Sequence, residues 1–126
     1  MALYVTYCSK EKSSEEKEIP AICRYSSSRI QKIFEKSNTK GHHFAILSGK
    51  YGLIEPEKEI PYYDKLLMQD EVGKMIPKVR DQLQELQASK VVYFTKEIEN
   101  QRIPYFKLVK KACQKENIEF EKKIIE

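Results

Sequence analysis

A short segment of small and polar residues, Ser48-Gly49-Lys50-Tyr51-Gly52, directly follows an apolar run. The two glycines let the backbone turn tightly and come close to a ligand, while Ser48, Lys50 and Tyr51 supply a hydroxyl group, a cation and an aromatic ring. This combination favours a binding site. The alternative is an ordinary turn between a strand and a loop.

The same segment lacks the motifs of two large nucleotide-binding classes. A Walker loop would have glycine at the position of Phe44, and serine or threonine at the position of Tyr51, directly after Lys50. The dinucleotide fingerprint G-x-G-x-x-G is also absent from the sequence. ATP and NAD are therefore disfavoured as ligands, and we expect no cofactor.

A second candidate segment, Ile60-Pro61-Tyr62-Tyr63-Asp64-Lys65, combines a proline, two aromatic rings and a carboxylate. Tyrosine rings can stack on a base or a sugar, and Asp64 can accept a hydrogen bond or stabilise a developing cation. The segment is typical of a loop that faces a ligand. Alternatively, Tyr62 and Tyr63 pack over the edge of the sheet and Asp64 caps the next turn.

Cys8 follows another apolar run, at a position where a nucleophile could lie. The two histidines, His42 and His43, precede the next apolar run and so belong to the opposite end of the sheet, which argues against a Cys/His dyad. A buried thiol is the alternative for Cys8. We expect no metal site, because neither histidine has a cysteine or carboxylate at the spacing of metal ligands.

Three continuous apolar or β-branched runs, over Ala2 to Thr6, Phe44 to Leu47 and Val91 to Thr95, predict strands covered on both faces. A fourth segment, Ile118 to Glu121, alternates apolar and acidic residues as an edge strand does. Together with the helices between them, these strands predict a single α/β domain over residues 1–126. It is a three-layer sandwich with a mostly parallel four-stranded sheet. Ligands bind at the carboxyl ends of such strands.

Ser28 is expected to cap the first helix, which buries Ile30, Ile33 and Phe34 and ends near Asn38. Residues 10–18, which precede this helix, contain no apolar side chain and predict a mobile loop.

Two further helices are expected. One runs from Asp70, a candidate cap, to Leu86, and Pro77 either kinks this helix or begins its regular part. Pro104 opens the other helix, and Asn117 is its expected C-cap.

The composition, with 126 residues of which 40% are hydrophobic and 33% charged, is that of one globular domain. No apolar run approaches the roughly 20 residues that span a bilayer, and the N-terminus lacks a signal-peptide pattern, so we expect a cytoplasmic protein with no membrane partner. Cys8, Cys23 and Cys113 indicate free thiols, the last two in the core. The net charge of +4 permits a phosphate-bearing partner, and evenly solvated surface charge is the alternative.

The string FAILSGKYGLIEP at 44–56, followed by IPYYDKLL at 60–67, resembles a small uncharacterised family of bacterial, archaeal and phage domains. Its signature reads approximately I-L-S-A-K-Y-G-L-x-x-P and then P-Y-D-x-x-L. The residues Cys8, Ser9 and Lys12 and the stretch from Tyr25 to Arg29 also resemble this family. A similar string occurs in the YaaA peroxide-stress proteins, which are linked to DNA binding. The sequence is also distantly similar to the uracil-DNA-glycosylase-like domain of archaeosine synthases.

The resemblance implies an α/β domain with a cleft that handles a nucleobase, a nucleotide or a nucleic acid. In an N-glycosidase-like enzyme, Asp64 would orient water and stabilise an oxocarbenium-like transition state, with Ser48 and Lys50 as its catalytic partners. The expected substrate-binding residues are Cys8, Ser9, Gly49, Tyr51, Gly52, Tyr62 and Tyr63. The alternative is a non-catalytic module that binds DNA or nucleotides in stress response or phage defence, where Asp64 only forms a hydrogen bond.

Overall fold

The computed structural model describes residues 2–125. Along this part of the chain the elements are β1 (Ala2–Tyr7), β2 (Ile19–Pro20), α1 (Ala21–Arg24), α2 (Ser28–Lys40), β3 (His43–Ser48), β4 (Gly52–Ile54), β5 (Glu59–Ile60), α3 (Val72–Glu85), β6 (Lys90–Thr95), α4 (Arg102–Lys115) and β7 (Glu119–Ile124). A single turn of 3-10 helix, Gln69–Glu71, precedes α3.

The central sheet has the strand order β4-β3-β1-β6-β7. Strands β3, β1, β6 and β7 run parallel, which confirms the expected α/β fold. The sheet nevertheless has five strands, not four, because Gly52–Ile54 turns back and pairs antiparallel with β3. Strands β2 and β5 form a separate two-stranded sheet.

Alternate residues of the parallel strands build two cores on opposite faces of the sheet. Leu3, Val5 and Leu47 pack with residues of α3 and α4, whereas Tyr4 and Ile46 pack with residues of α2. Because both faces are covered, each strand reads as a continuous apolar run. The three layers are therefore α2, the sheet, and the pair α3 and α4.

The order of the strands places a crevice at the carboxyl ends of β1 and β6. Strand β1 lies between β3 and β6 in the sheet. After β1 the chain passes through α2 to β3 on one side of β1, and it reaches β6 on the other side only later. The connections therefore diverge between β1 and β6, and the loops that leave these two strands do not cover the space between them.

The ends of α2 follow the chemistry of helix caps. Ser27, not the expected Ser28, is the N-cap, and its side chain accepts a hydrogen bond from the amide of Ile30 at 3.3 Å. The helix continues two residues beyond Asn38 to Lys40, because Gly41 adopts a φ of 73° and closes the C-terminus.

Prolines and an asparagine mark the other helices. Pro77 lies inside α3, on its exposed side. Pro104 lies in the first turn of α4, which begins at Arg102, where its missing amide hydrogen costs no helical hydrogen bond. Asn117, with a φ of 55°, follows the C-cap Glu116 in the left-handed conformation.

The segment of residues 10–18, expected to be mobile, follows a defined course around Arg24. This arginine is fully buried, and its guanidinium donates hydrogen bonds to the carbonyl oxygens of Ser13 and Glu15 at 2.8 Å and of Lys17 at 2.7 Å. A further bond reaches the carbonyl of Ile60 at 3.2 Å. The loop is thus tied to β5 through one side chain.

Within residues 2–125, no helix has both the length and the apolar character needed to cross a bilayer. Cys113 is buried in α4, as expected. Cys23 is exposed, contrary to expectation, because the single-turn helix α1 buries only Ala21 and Arg24.

Candidate functional site

A cleft of about 560 Å³ opens at the crevice between β1 and β6. Its walls are the chain that leaves β1 (7–12), the N-terminal region of α2 (26–29), Lys96 after β6, and the start of α4. A further wall comes from residues 61–68, a segment outside the helices and strands that we call the strap, through Asp64, Lys65 and Leu66. The cleft lies where ligands bind in open α/β sheets.

Basic side chains dominate the lining of this cleft. Six cationic residues line it, against two acidic ones, Glu11 and Asp64. The cations are Lys10, Lys12, Arg29, Lys65, Lys96 and Arg102. Such a concentration of one sign of charge in a concave site attracts anions.

Arg29 is held rigidly in this cleft by neutral groups. Its guanidinium donates hydrogen bonds to the Thr6 hydroxyl at 2.6 Å and the Tyr7 carbonyl at 2.9 Å, and its Cζ lies 3.7 Å from the centre of the Tyr7 ring. Burial lowers the pKa of Arg29. Among the described residues, no carboxylate forms an ion pair with it. Arg29 is thus a partly desolvated cation that is influenced by the negative charge of Glu11 but forms no ion pair among the described residues.

Cys8 lines the cleft beside a buried tyrosine hydroxyl. Its Sγ lies 3.7 Å from the hydroxyl oxygen of Tyr105, which accepts a hydrogen bond from the amide of Leu67 in the strap at 3.0 Å. Burial raises the pKa of Tyr105 well above its ordinary value, so its hydroxyl stays protonated. His42 lies far from Cys8, at the amino end of β1, where its Nδ1 accepts a hydrogen bond from the amide of Ala2.

Three buried hydroxyl groups form a hydrogen-bonded chain that anchors the strap through Tyr63. The hydroxyl of Tyr63 shares hydrogen bonds with Ser48 Oγ at 2.8 Å and with the hydroxyl of Tyr25. Ser48 Oγ also accepts hydrogen bonds from the amides of Lys50 at 3.0 Å and Tyr51 at 3.1 Å. Burial raises the pKa of both tyrosines, so they are neutral hydrogen-bonding groups.

Two lysines lie over the tyrosine rings of this hydroxyl chain. Lys12 Nζ is 5.0 Å from the ring centre of Tyr63 and 5.7 Å from that of Tyr25. Lys50 Nζ is 5.3 Å from the ring centre of Tyr51 and 6.0 Å from that of Tyr63. Cation–π attraction therefore helps to fix Lys12 at the cleft and Lys50 outside it.

Of the residues that the sequence indicates as a site, the structure brings Cys8, Ser9 and Asp64 together in the cleft. Ser48 is buried beneath the strap, and within the strap Tyr63 is buried whereas Tyr62 is exposed. Lys50 is exposed, and Tyr51 lines a separate groove. The cleft thus contains Asp64 without the two residues expected to assist it.

The two glycines of the candidate segment have steric roles. A Cβ atom at Gly49 would lie 2.8 Å from the backbone nitrogen of Leu67 in the strap. Gly52 has a φ of 73°, and a Cβ there would lie 2.4 Å from Oε1 of Gln82, whose side chain bonds the amide of Leu53. These glycines let the strap and α3 approach the turn after β3.

Sequence reasoning missed most of the cationic lining. Tyr7 and Arg29 touch each other although one ends β1 and the other begins α2, and no local pattern links them. The sequence did contain one indication of this lining. Lys10 and Lys96 follow correctly predicted parallel strands, and ligands bind at the carboxyl ends of such strands. Within residues 2–125, no three His, Cys, Asp or Glu side chains are grouped as a metal site requires.

The separate groove, with a volume of about 800 Å³, is larger than the cleft but opposite in charge. Its lining includes five glutamates and two lysines. The glutamates are Glu18, Glu55, Glu57, Glu59 and Glu85. An anionic ligand is therefore directed to the cleft and repelled from the groove.

A model of the family described as "Family of unknown function (DUF6884)" matches residues 3–124. Comparison with curated proteins and with solved structures gives no match.

Proposed function

The chain belongs to the DUF6884 family, and from the geometry of its cleft we propose that it binds a nucleotide or a nucleic acid through a phosphate group held by Arg29. The observation that carries this proposal is the guanidinium of Arg29, which is oriented and partly desolvated but forms no ion pair within residues 2–125.

Placing a cation out of water is unfavourable unless an opposite charge or enough hydrogen-bond acceptors compensate for the lost hydration, as four carbonyl oxygens do for Arg24. Among residues 2–125, the Arg29 side chain has three hydrogen-bond acceptors within reach: the Thr6 hydroxyl, the Tyr7 carbonyl and, at 3.5 Å, the Cys8 carbonyl. These bonds fix the direction of the guanidinium but do not neutralise it. A phosphate would supply the missing charge and accept two parallel hydrogen bonds from the planar group.

The N-terminus of α2 favours the same ligand chemistry. Ser26, Ser27 and Ser28 line the cleft next to Arg29, and their hydroxyl groups can donate to phosphate oxygens. The helix has 13 residues, so its N-terminal end carries a partial positive charge. Hydroxyl groups, helix and cations therefore converge on one anion.

The remainder of the cleft suits a larger molecule than inorganic phosphate. Its volume of about 560 Å³ leaves room beyond one phosphate group, and Asp64 offers a hydrogen-bond acceptor for the amino group of a base.

The experiment is a calorimetric titration with thymidine monophosphate and with an eight-residue oligothymidylate. The Arg29→Gln variant is expected to lose about 10- to 100-fold in affinity, because it removes a charge-assisted pair of hydrogen bonds. Lys40→Gln removes the same charge from the other end of α2, away from the cleft, and should match the unmodified protein. The proposal would be rejected if the unmodified protein bound neither ligand. It would also be rejected if the Arg29→Gln variant bound with the same affinity as the unmodified protein.

A second candidate function, cleavage of an N-glycosidic bond, is favoured by the position of Asp64. This carboxylate is exposed at the cleft, and no ion pair engages it among the described residues. It could orient a water molecule whose hydroxyl bonds to the sugar C1′, while the departing base gains the proton. Release of free base by the unmodified protein but not by Asp64→Asn, measured by mass spectrometry, would establish it. Equal release by both would exclude this role for Asp64.

A further inference from the structure

Exposed apolar side chains are concentrated on the strap. Among the described residues four large hydrophobic side chains are exposed, and three of them lie between positions 62 and 68. They are Tyr62, Leu66 and Met68, with exposures of 52%, 41% and 51%. Scattered exposure needs no explanation, but three apolar side chains on one short segment indicate a contact surface.

This surface is fixed in place. The residues that alternate with it, Tyr63 and Leu67, are buried and held by the Ser48 and Tyr105 hydroxyl groups. At the end of the strap, Glu71 bonds Lys65 Nζ at 2.5 Å and the amide of Met68 at 3.0 Å. A partner that binds the exposed side chains therefore loses little entropy in ordering the strap.

The apolar surface adjoins the cationic cleft through Leu66, which belongs to that surface and also lines the cleft beside Asp64 and Lys65. A partner that satisfies both must carry negative charges and also present apolar or aromatic faces. Single-stranded nucleic acid has both properties, since its phosphates are spaced along a flexible backbone and its unpaired bases expose their π faces. In a duplex those faces are stacked inside.

Building on the proposed function, we propose that the ligand is a single-stranded nucleic acid. Its phosphate lies at Arg29 and its bases lie on Tyr62, Leu66 and Met68 of the strap. Tyr62 and Leu66 are four residues apart, a separation of up to about 13 Å in extended chain, which exceeds the size of one base. A strand whose phosphate lies at Arg29 would therefore have room on the strap for more than one base, which would distinguish this ligand from a mononucleotide.

The experiment measures fluorescence anisotropy with labelled eight-residue oligothymidylate and oligouridylate, and uses thymidine monophosphate, an eight-base-pair duplex and octaglutamate as competitors. We expect the unmodified protein to bind a single strand at least tenfold more tightly than the mononucleotide or the duplex. Tyr62→Ala should reduce the affinity for the single strand about tenfold or more and leave mononucleotide binding unchanged, because it removes a stacking contact. Tyr62→Phe keeps the ring and should bind within about twofold of the unmodified protein.

The outcomes separate this inference from the proposed function. If Arg29→Gln loses binding while Tyr62→Ala and Leu66→Ser bind the single strand like the unmodified protein, the strap is not a base platform and only phosphate binding stands. If neither strand nor mononucleotide binds, both proposals fail. The inference would be overturned if octaglutamate displaced the labelled strand as well as an unlabelled strand does, and if Tyr62→Ala weakened octaglutamate binding equally. The ligand would then be an acidic protein segment. A preference between the DNA and RNA strands identifies which nucleic acid is the ligand.

Discussion

The guanidinium of Arg29 rests on the ring of Tyr7, with 3.7 Å between its Cζ and the ring centre. Together with the hydrogen bond to the Tyr7 carbonyl, this contact holds the positive charge of Arg29, a residue of α2, at the carboxyl end of β1. The cleft therefore depends on a tyrosine as well as on its cations.

We expect Tyr7→Leu to weaken phosphate binding by about 2- to 30-fold, since a cation–π contact is worth about 0.5–2 kcal/mol. Tyr7→Phe keeps the aromatic face and should bind like the unmodified protein. Calorimetric titration with a mononucleotide measures both variants. Equal binding by Tyr7→Leu would mean that the hydrogen bonds alone position Arg29.

Tyr62 and Tyr63 are neighbours in the strap, so the same substitution at each position allows a matched comparison of the free energy of unfolding. Tyr63→Phe removes the central hydroxyl of a buried chain and leaves Ser48 and Tyr25 with one partner fewer, at a cost of about 1–3 kcal/mol in the free energy of unfolding. Tyr62→Phe changes an exposed ring and should cost less than about 0.5 kcal/mol. Urea unfolding compares the two, and similar losses would contradict the hydroxyl chain.

Gly41 and Gly52 share a φ of 73° but differ in their surroundings. A Cβ at Gly41 meets nothing within 4 Å, whereas one at Gly52 would lie 2.4 Å from Gln82 Oε1. Gly41→Ala should therefore cost only about 1–2 kcal/mol for the left-handed backbone, and Gly52→Ala should cost more. Thermal unfolding of the two variants tests this order, and a smaller loss for Gly52→Ala would show that Gln82 moves aside freely.

We expect Cys113 to make the stability of the fold fall in alkaline solution. Burial raises the pKa of its thiol from 9.0 to about 12. Above pH 9 the unfolded chain loses this proton while the folded chain keeps it, so the free energy of unfolding falls between pH 9 and 12. The fall approaches about 1.4 kcal/mol per pH unit, and below pH 8 this thiol contributes no pH dependence.

The Cys113→Ala variant should remove this contribution. Urea unfolding at pH 8, 9 and 10 should therefore show a shallower decline for Cys113→Ala than for the unmodified protein. Cys23→Ala alters an exposed thiol and is the matched control. If the free energy of unfolding declined equally with pH for Cys113→Ala and Cys23→Ala, the raised pKa of Cys113 would be contradicted.

The fold was predictable where burial leaves a pattern in the sequence. Residues 91–95 are apolar or β-branched because they are covered on both faces, and such a run is visible without a structure. Strand β4 has three residues and depends on the left-handed turn at Gly52, so it leaves no such pattern.

The site was predictable only in part, because its chemistry depends on contacts between distant segments. The sequence indicated Cys8, Ser9 and Asp64, which do line the cleft. It could not tell that Tyr63 is buried while Tyr62 is exposed, since adjacent tyrosines look alike until the backbone direction is known. The sequence placed Arg29 in a stretch that resembles a family but did not single it out as a site residue, because its partner Tyr7 belongs to another element.

We expect the opposite charges of the cleft and the groove to give the molecule an electric dipole moment that its net charge of +4 does not express. A polyanion in solution exerts a torque on such a dipole, turning the cleft toward it before any contact forms. The same torque would orient the protein on a negatively charged chromatography resin or sensor surface, cleft inward. Immobilisation on such a surface would therefore hide the cleft that the assay is meant to probe.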